Sequence, residues 1–178
     1  MKKLKILVPG LALSCLFAAC NQSDNSAKSP EKDSVATISS VAPQIKDETK
    51  NAVYKHYIHL KDALVASNIS DAQAVAKELS AALAKIDGCE NTSMLATKIS
   101  NTSDIQVQRL NFTAVSSDII AMLKNTEMTS GQMYVQYCPM ANDGDGGYWL
   151  SSEKEIKNPY YGDEMMNCGE VKDTISTK

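Results

Sequence analysis

Two sulfur-bearing stretches carry the strongest chemistry in this chain. Cys138 is followed two residues later by Met140, and Cys168 is preceded by Met165 and Met166. Thiolate and thioether are soft ligands that together select copper(I) and similar cations over hard ones. Cys138 and Cys168, with Met140 and one or both of Met165 and Met166, are therefore the candidate metal ligands. Met165 is either a further ligand or filler, since methionine also serves as adaptable core packing. Oxidation offers the same cysteines another fate, because in an oxidising compartment Cys138 and Cys168 can form a disulfide. Closing a loop of about 30 residues would stabilise the fold by roughly 3–4 kcal/mol in the chain-entropy model. Cys89 is then left over, and burial as a small hydrophobe is its expected place.

Other candidates are weaker. His56 and His59 lie three apart and would share a helical face, a spacing that can hold a metal. Lys55 beside His56 marks a polar side, so ordinary, partly exposed histidines are the better account. Asn142 to Gly146 opens like a calcium loop, which needs a bidentate Glu at the twelfth position. Counted from Asp143, that position is Lys154, so a tight polar turn is expected instead. The chain has no G-x-S-x-G, H-E-x-x-H, P-loop or dinucleotide fingerprint. A Cys–His nucleophile would require His56 or His59 to approach Cys138 in the fold. The expectation is a binding protein with no catalytic residues.

The N-terminus says where this chemistry would operate. Lys2, Lys3 and Lys5 precede an apolar run from Ile6 to Leu16, then Ala18, Ala19 and Cys20. The run is short of the roughly 20 residues that span a bilayer, and its basic start and small-residue finish fit an export signal. Leu16-Phe17-Ala18-Ala19-Cys20 resembles a lipobox, which would make residues 1–19 a signal peptide and Cys20 the acylated anchor. Cys15 is a poorer candidate, since its apolar run is shorter still. Two or more acyl chains hold firmly to a membrane. The expected location is the cell envelope, on the periplasmic face of the outer membrane, because Asn21 lacks the acidic retention signal of inner-membrane lipoproteins. Removing the leader leaves 15 basic against 21 acidic residues, a balance that disfavours nucleic acid.

Elements must position these residues. Residues 20–42, rich in Ser, Asn, Asp, Lys and Ala, read as a flexible tether. Val53, Tyr57, Leu60 and Leu64 form one amphipathic stripe and predict a helix over about 46–66. Ser70 to Gln73 has capping-box form, and Val75, Leu79, Leu83 and Ile86 give the second stripe, with Gly88 as the stop. Ser103-x-x-Gln106 starts a third helix to about Lys124, with Ile105, Phe112, Val115, Ile119 and Met122 inward. Cys89 to Asn101 is expected to be a short irregular or helical link. Met133 to Tyr137 is strand-like, and the aromatic, Gly- and Pro-punctuated run after it should fold back onto the helices. The fold class is mainly α: a small up-down bundle of three to four helices, with a turn-rich C-terminal lobe containing a short strand. That domain is expected over 43–178.

One ordered set of segments is distinctive. Tyr134-Val135-Gln136-Tyr137-Cys138-Pro139-Met140-Ala141-Asn142, Trp149-Leu150-Ser151, Ile156 to Gly162 and Met165 to Val171 together resemble domain of unknown function 3347. The likeness extends back to Leu60-Lys61-Asp62-Ala63-Leu64, over about residues 48–172. The resemblance implies a lipoprotein, or a relative of domains fused to adaptor subunits of heavy-metal efflux systems, and hence a place near copper. It carries Cys138, Met140, Met166 and Cys168 as ligands, within the Cys-Pro-Met and Met-x-Cys-Gly segments. The partners expected on that basis are the membrane and an efflux adaptor or other envelope protein. The alternative is a structural or interaction module with no metal, pinned by a Cys138–Cys168 disulfide. In it Trp149, Tyr160 and Tyr161 pack the core or meet a protein.

Overall fold

The computed structural model describes residues 41–177. The expected signal peptide, the Cys20 anchor and nearly all of the tether lie outside these described residues.

Four helices form the body. Helix α1 (Glu48–Val65) is capped by Asp47, whose carboxylate accepts from the amides of Thr49 and Lys50. Its predicted stripe of Val53, Tyr57, Leu60 and Leu64 is completely buried. Helix α2 (Ile69–Leu83) starts one residue before the expected Ser70. Asn68 is the cap, and its side-chain oxygen accepts from the Asp71 amide at 3.2 Å and from the Ser70 hydroxyl. The helix also ends before the expected glycine stop. Gly88 instead takes a left-handed turn (φ +84°) that leads into α3 (Glu90–Ser100), so the expected link is a full helix. Asp104, rather than Ser103, caps α4 (Ile105–Leu123) by accepting from the amides of Gln106 and Val107. Phe112, Val115, Ile119 and Leu123 of α4 are buried, while Ile105 and Met122 are only partly so.

Each helix packs chiefly on the next in sequence, α1 on α2, α2 on α3 and α3 on α4, the neighbour-to-neighbour arrangement of an up-down bundle. Ala72, Ala76 and Ala96 at these contacts are fully buried and let the backbones approach closely. Among the described residues, no helix is long and apolar enough to cross a membrane.

The lobe contains more β-structure than the single expected strand. Strand β1 (Gln44–Ile45) pairs antiparallel with β2 (Met128–Ser130), clamping the start of the domain beside the end of α4. Gly131 follows with φ +73°, and a Cβ there would fall 2.5 Å from the Val41 carbonyl oxygen, so only glycine lets the two chain segments lie this close. Strand β3 (Gln132–Cys138) is central in an antiparallel sheet of order β4-β3-β5, with β4 (Gly147–Ser151) and β5 (Glu170–Ser176). The β3–β5 register slips between Val135 and Gln136, leaving Lys172 as the extra residue of a bulge. Strand β4 packs on α4, and the aromatic lobe does fold back on the bundle. Tyr57 of α1 stacks on Phe112 of α4, Phe112 meets Tyr160, and Tyr160 meets Trp149 edge-on. The Tyr57 hydroxyl closes this series by accepting from the Leu150 amide at 2.9 Å.

Candidate functional site

Cys138 is the last residue of β3 and is completely buried. By the alternation of a strand its side chain shares a face with Gln136. The Gln136 amide is also completely buried, and it donates to the carbonyls of Glu153, Lys154 and Glu155, so the loop after β4 covers this face. That loop returns through Asn158 toward Cys168. Asn158 is itself fully buried and holds the loop at four points. Its side-chain nitrogen donates to the Cys168 carbonyl at 3.0 Å, and its side-chain oxygen accepts from the Tyr160 amide at 2.8 Å. Its backbone amide donates to the Met166 carbonyl, and its carbonyl accepts from Gly162.

This closure brings together two thiols 30 positions apart in sequence. Both are free, and the Cys168 thiol is close enough to Cys138 to interact with it directly. Burial pushes the Cys168 thiol up to about 11, the neighbouring Cys138 adds to the rise, and the Met140 amide opposes it by donating to the sulfur. Gly169 makes this approach possible. Its backbone lies at φ +144°, and a Cβ would stand 2.9 Å from the Trp149 ring and 3.0 Å from the Tyr137 carbonyl.

The methionines are placed less tightly. Met140 lies two residues after Cys138 with its side chain 54% exposed, and Met166 lies two residues before Cys168 and is half-buried. Each thiol segment therefore carries a thioether at its edge. Met165 is likewise half-buried, and its carbonyl accepts from the Cys168 amide. Tyr161 closes the turn from outside, its hydroxyl donating to the Met140 carbonyl. Burial and the proximity of Cys138, Asp143 and Cys168 push the Tyr161 phenol up.

The remaining candidates fall elsewhere. Cys89 is only partly buried, unlike the expected core position; its thiol contacts the Met122 sulfur at 3.9 Å, and burial with Glu90 and Asp118 nearby pushes it up. His56 and His59 face α2, His56 toward Glu78 at 3.3 Å and His59 toward Asp71 at 3.2 Å. Among the described residues no three His, Cys, Asp or Glu side chains are grouped to hold a metal. The Asn142–Gly146 segment is a tight turn in which Asn142 and Asp143 both adopt left-handed backbone. Asn142 pins it by accepting from Thr113 and donating to the Gly146 carbonyl.

Sequence reasoning passed over Asn158 and Arg109. Asn158 registers in the sequence only as half of an Asn-Pro turn signal, and Arg109 only as the chain's sole arginine. Arg109 joins the regions: its Nε donates to the Pro159 carbonyl at 3.0 Å, and its Nη2 to the Leu64 carbonyl and the Ser67 hydroxyl.

A family model described as Protein of unknown function (DUF3347) matches residues 53–131. The match covers α1 from Val53 onward, the other three helices and β2, and ends at Gly131, so the segments 134–171 that carried the resemblance lie beyond it. No curated protein matches the chain, and no solved structure does.

Proposed function

We propose, from the premise that this chain belongs over residues 53–131 to the DUF3347 family, that its C-terminal lobe binds a soft monovalent cation, copper(I) in the first instance. The observation that carries this reading is the meeting of two free thiols, Cys138 and Cys168, with a methionine two residues from each. Two thiolates give a soft cation its principal ligands, and Met140 and Met166 would complete the shell as thioethers. Thioethers carry no proton to lose, so they remain ligands under acid where thiols do not. The chain would act by ligand exchange and not by turnover. With an acylated Cys20 it would hold the ion at an envelope membrane, and the resemblance to efflux-associated domains suggests an adaptor as the recipient.

Complete burial of Cys138 favours a second reading, in which the same pair forms a disulfide that pins the lobe as a protein-interaction module. Anaerobic copper(I) titration of the reduced chain, with free thiols counted in parallel, separates the two. Stoichiometric binding that a Cys138→Ser/Cys168→Ser variant loses supports the metal reading. Absence of binding, with the native protein isolated as a 138–168 disulfide, overturns it.

A further inference from the structure

Arg109 carries a permanent charge, yet it is only 6% exposed. Its three hydrogen bonds go to two carbonyls and a hydroxyl, all neutral acceptors. A guanidinium has five N–H donors. The two on Nη1 have no protein partner among the described residues, and this nitrogen is not among the fully buried unpaired atoms, so it opens to solvent. None of the ion pairs there includes Arg109. Glu164 acts on it only from a distance. A largely buried cation with no carboxylate partner keeps a favourable contact in reserve for an anion that reaches its open nitrogen.

Arg109 also forms part of the wall of a cleft of about 220 Å³ between α4 and the turn after β3. Gln106, Leu110, Asn142, Asp143 and Tyr161 line the same cleft. The Nε and Nη2 donors are committed to the fold, so the Nη1 edge is the part of the group left to face this space. The Gln106 side-chain amide makes no hydrogen bond among the described residues and is exposed at the rim. Leu110 is 63% exposed and supplies an apolar wall beside the charge.

We infer that this cleft binds a small aliphatic carboxylate, held by the Nη1 edge of Arg109 and the Gln106 amide with its hydrocarbon end against Leu110. With Nε and Nη2 occupied, the two N–H groups of Nη1 offer a carboxylate oxygen a charge-assisted contact. A short acid fits within the cleft's volume of about 220 Å³. Asp143 is the one negative group lining the cleft, and it works against such a ligand. It therefore offers a variant that should improve binding. It lies outside the Arg109 hydrogen bonds, and asparagine tolerates its left-handed backbone.

The test is calorimetric titration of the full chain with 3-methylbutanoate and, separately, with the corresponding amide. Saturable binding of the acid, about tenfold or more tighter than the amide, is expected from a charge-assisted contact. Asp143→Asn should tighten acid binding by about threefold at low salt, as loss of one nearby surface charge allows. Arg109→Lys should weaken it by about tenfold, since one ammonium cannot replace the contacts to Leu64, Ser67 and Pro159 and also reach the ligand. A leucine-terminated tripeptide that binds more tightly than the free acid would assign the carboxylate to a peptide end, and weaker binding would assign it to a free acid. Equal binding of acid and amide overturns the inference. So does an Asp143→Asn chain with unchanged or weaker acid binding, a result that holds even where Arg109→Lys fails to fold.

Discussion

The bundle and the lobe are built on different principles. The bundle buries Leu60, Leu64, Leu79, Leu83, Ile99 and Phe112, a redundant apolar set in which each side chain adds area to a shared core. The lobe has short strands around a smaller apolar set, Met133, Val135, Trp149, Leu150, Tyr160 and Ile175, and single polar groups pin its loops: Gln136 on three carbonyls, Asn158 on its own loop, Arg109 of α4 on the Pro159 carbonyl. A distributed core tolerates local change gradually. A latch fails at once and locally.

The most severe way to break this contrast is to remove the residue that belongs to both regions. Phe112→Ala takes away the ring stacked between Tyr57 and Tyr160. It should cost about 3–5 kcal/mol in denaturant unfolding, lowering the stability of helices and lobe together. Loss confined to the lobe would show that the two regions do not share a core. Asn158→Ala should cost less, about 2–3 kcal/mol, through the polar groups it leaves unpaired. Its signature is local: faster modification of Cys138 and a shift in the emission of Trp149, the chain's only tryptophan, with helical circular dichroism retained. Unchanged thiol reactivity would remove Asn158 from the role of latch.

A pH series sharpens the comparison on the chemical side. The Cys168 thiol is held up to about 11, so it is protonated at neutral pH and a cation must displace that proton. Apparent copper(I) affinity should therefore rise with pH, by about tenfold per unit for each thiol proton released, or about 1.4 kcal/mol. Affinity that stays flat between pH 6 and 8 would exclude thiolate ligation. The smallest effect belongs to the bundle. Asn68→Ala removes the α2 cap and should lower stability by about 1 kcal/mol without altering thiol reactivity.

The same contrast decides what the sequence could reveal. The stripes of α1 and α2 are periodic because a redundant core imposes a period, and Val53, Tyr57, Leu60 and Leu64 were readable for that reason. The caps were displaced by one or two residues because several adjacent polar side chains, Asn68 and Ser70 or Ser103 and Asp104, can each serve. Helix α3 buries only Thr92, Ala96 and Ile99 and so leaves little stripe to see. Strand β5 reads Glu-Val-Lys-Asp-Thr-Ile-Ser and buries Ile175 alone, so it has no alternation to read. At the candidate site the cysteines advertise themselves by type. Arg109 does not, since its partners Leu64 and Pro159 are 45 and 50 residues away and are backbone carbonyls that any residue supplies.

The close passage of Gly131 against Val41 also fixes a direction. Val41 lies against Gly131, next to the first residue of β3, while Cys138 is the last residue of that same strand. Six steps of about 3.4 Å separate the two ends, a lever arm of roughly 20 Å. A force applied at Val41 would therefore enter the domain at one end of a hydrogen-bonded rod, the end opposite the buried Cys138 thiol.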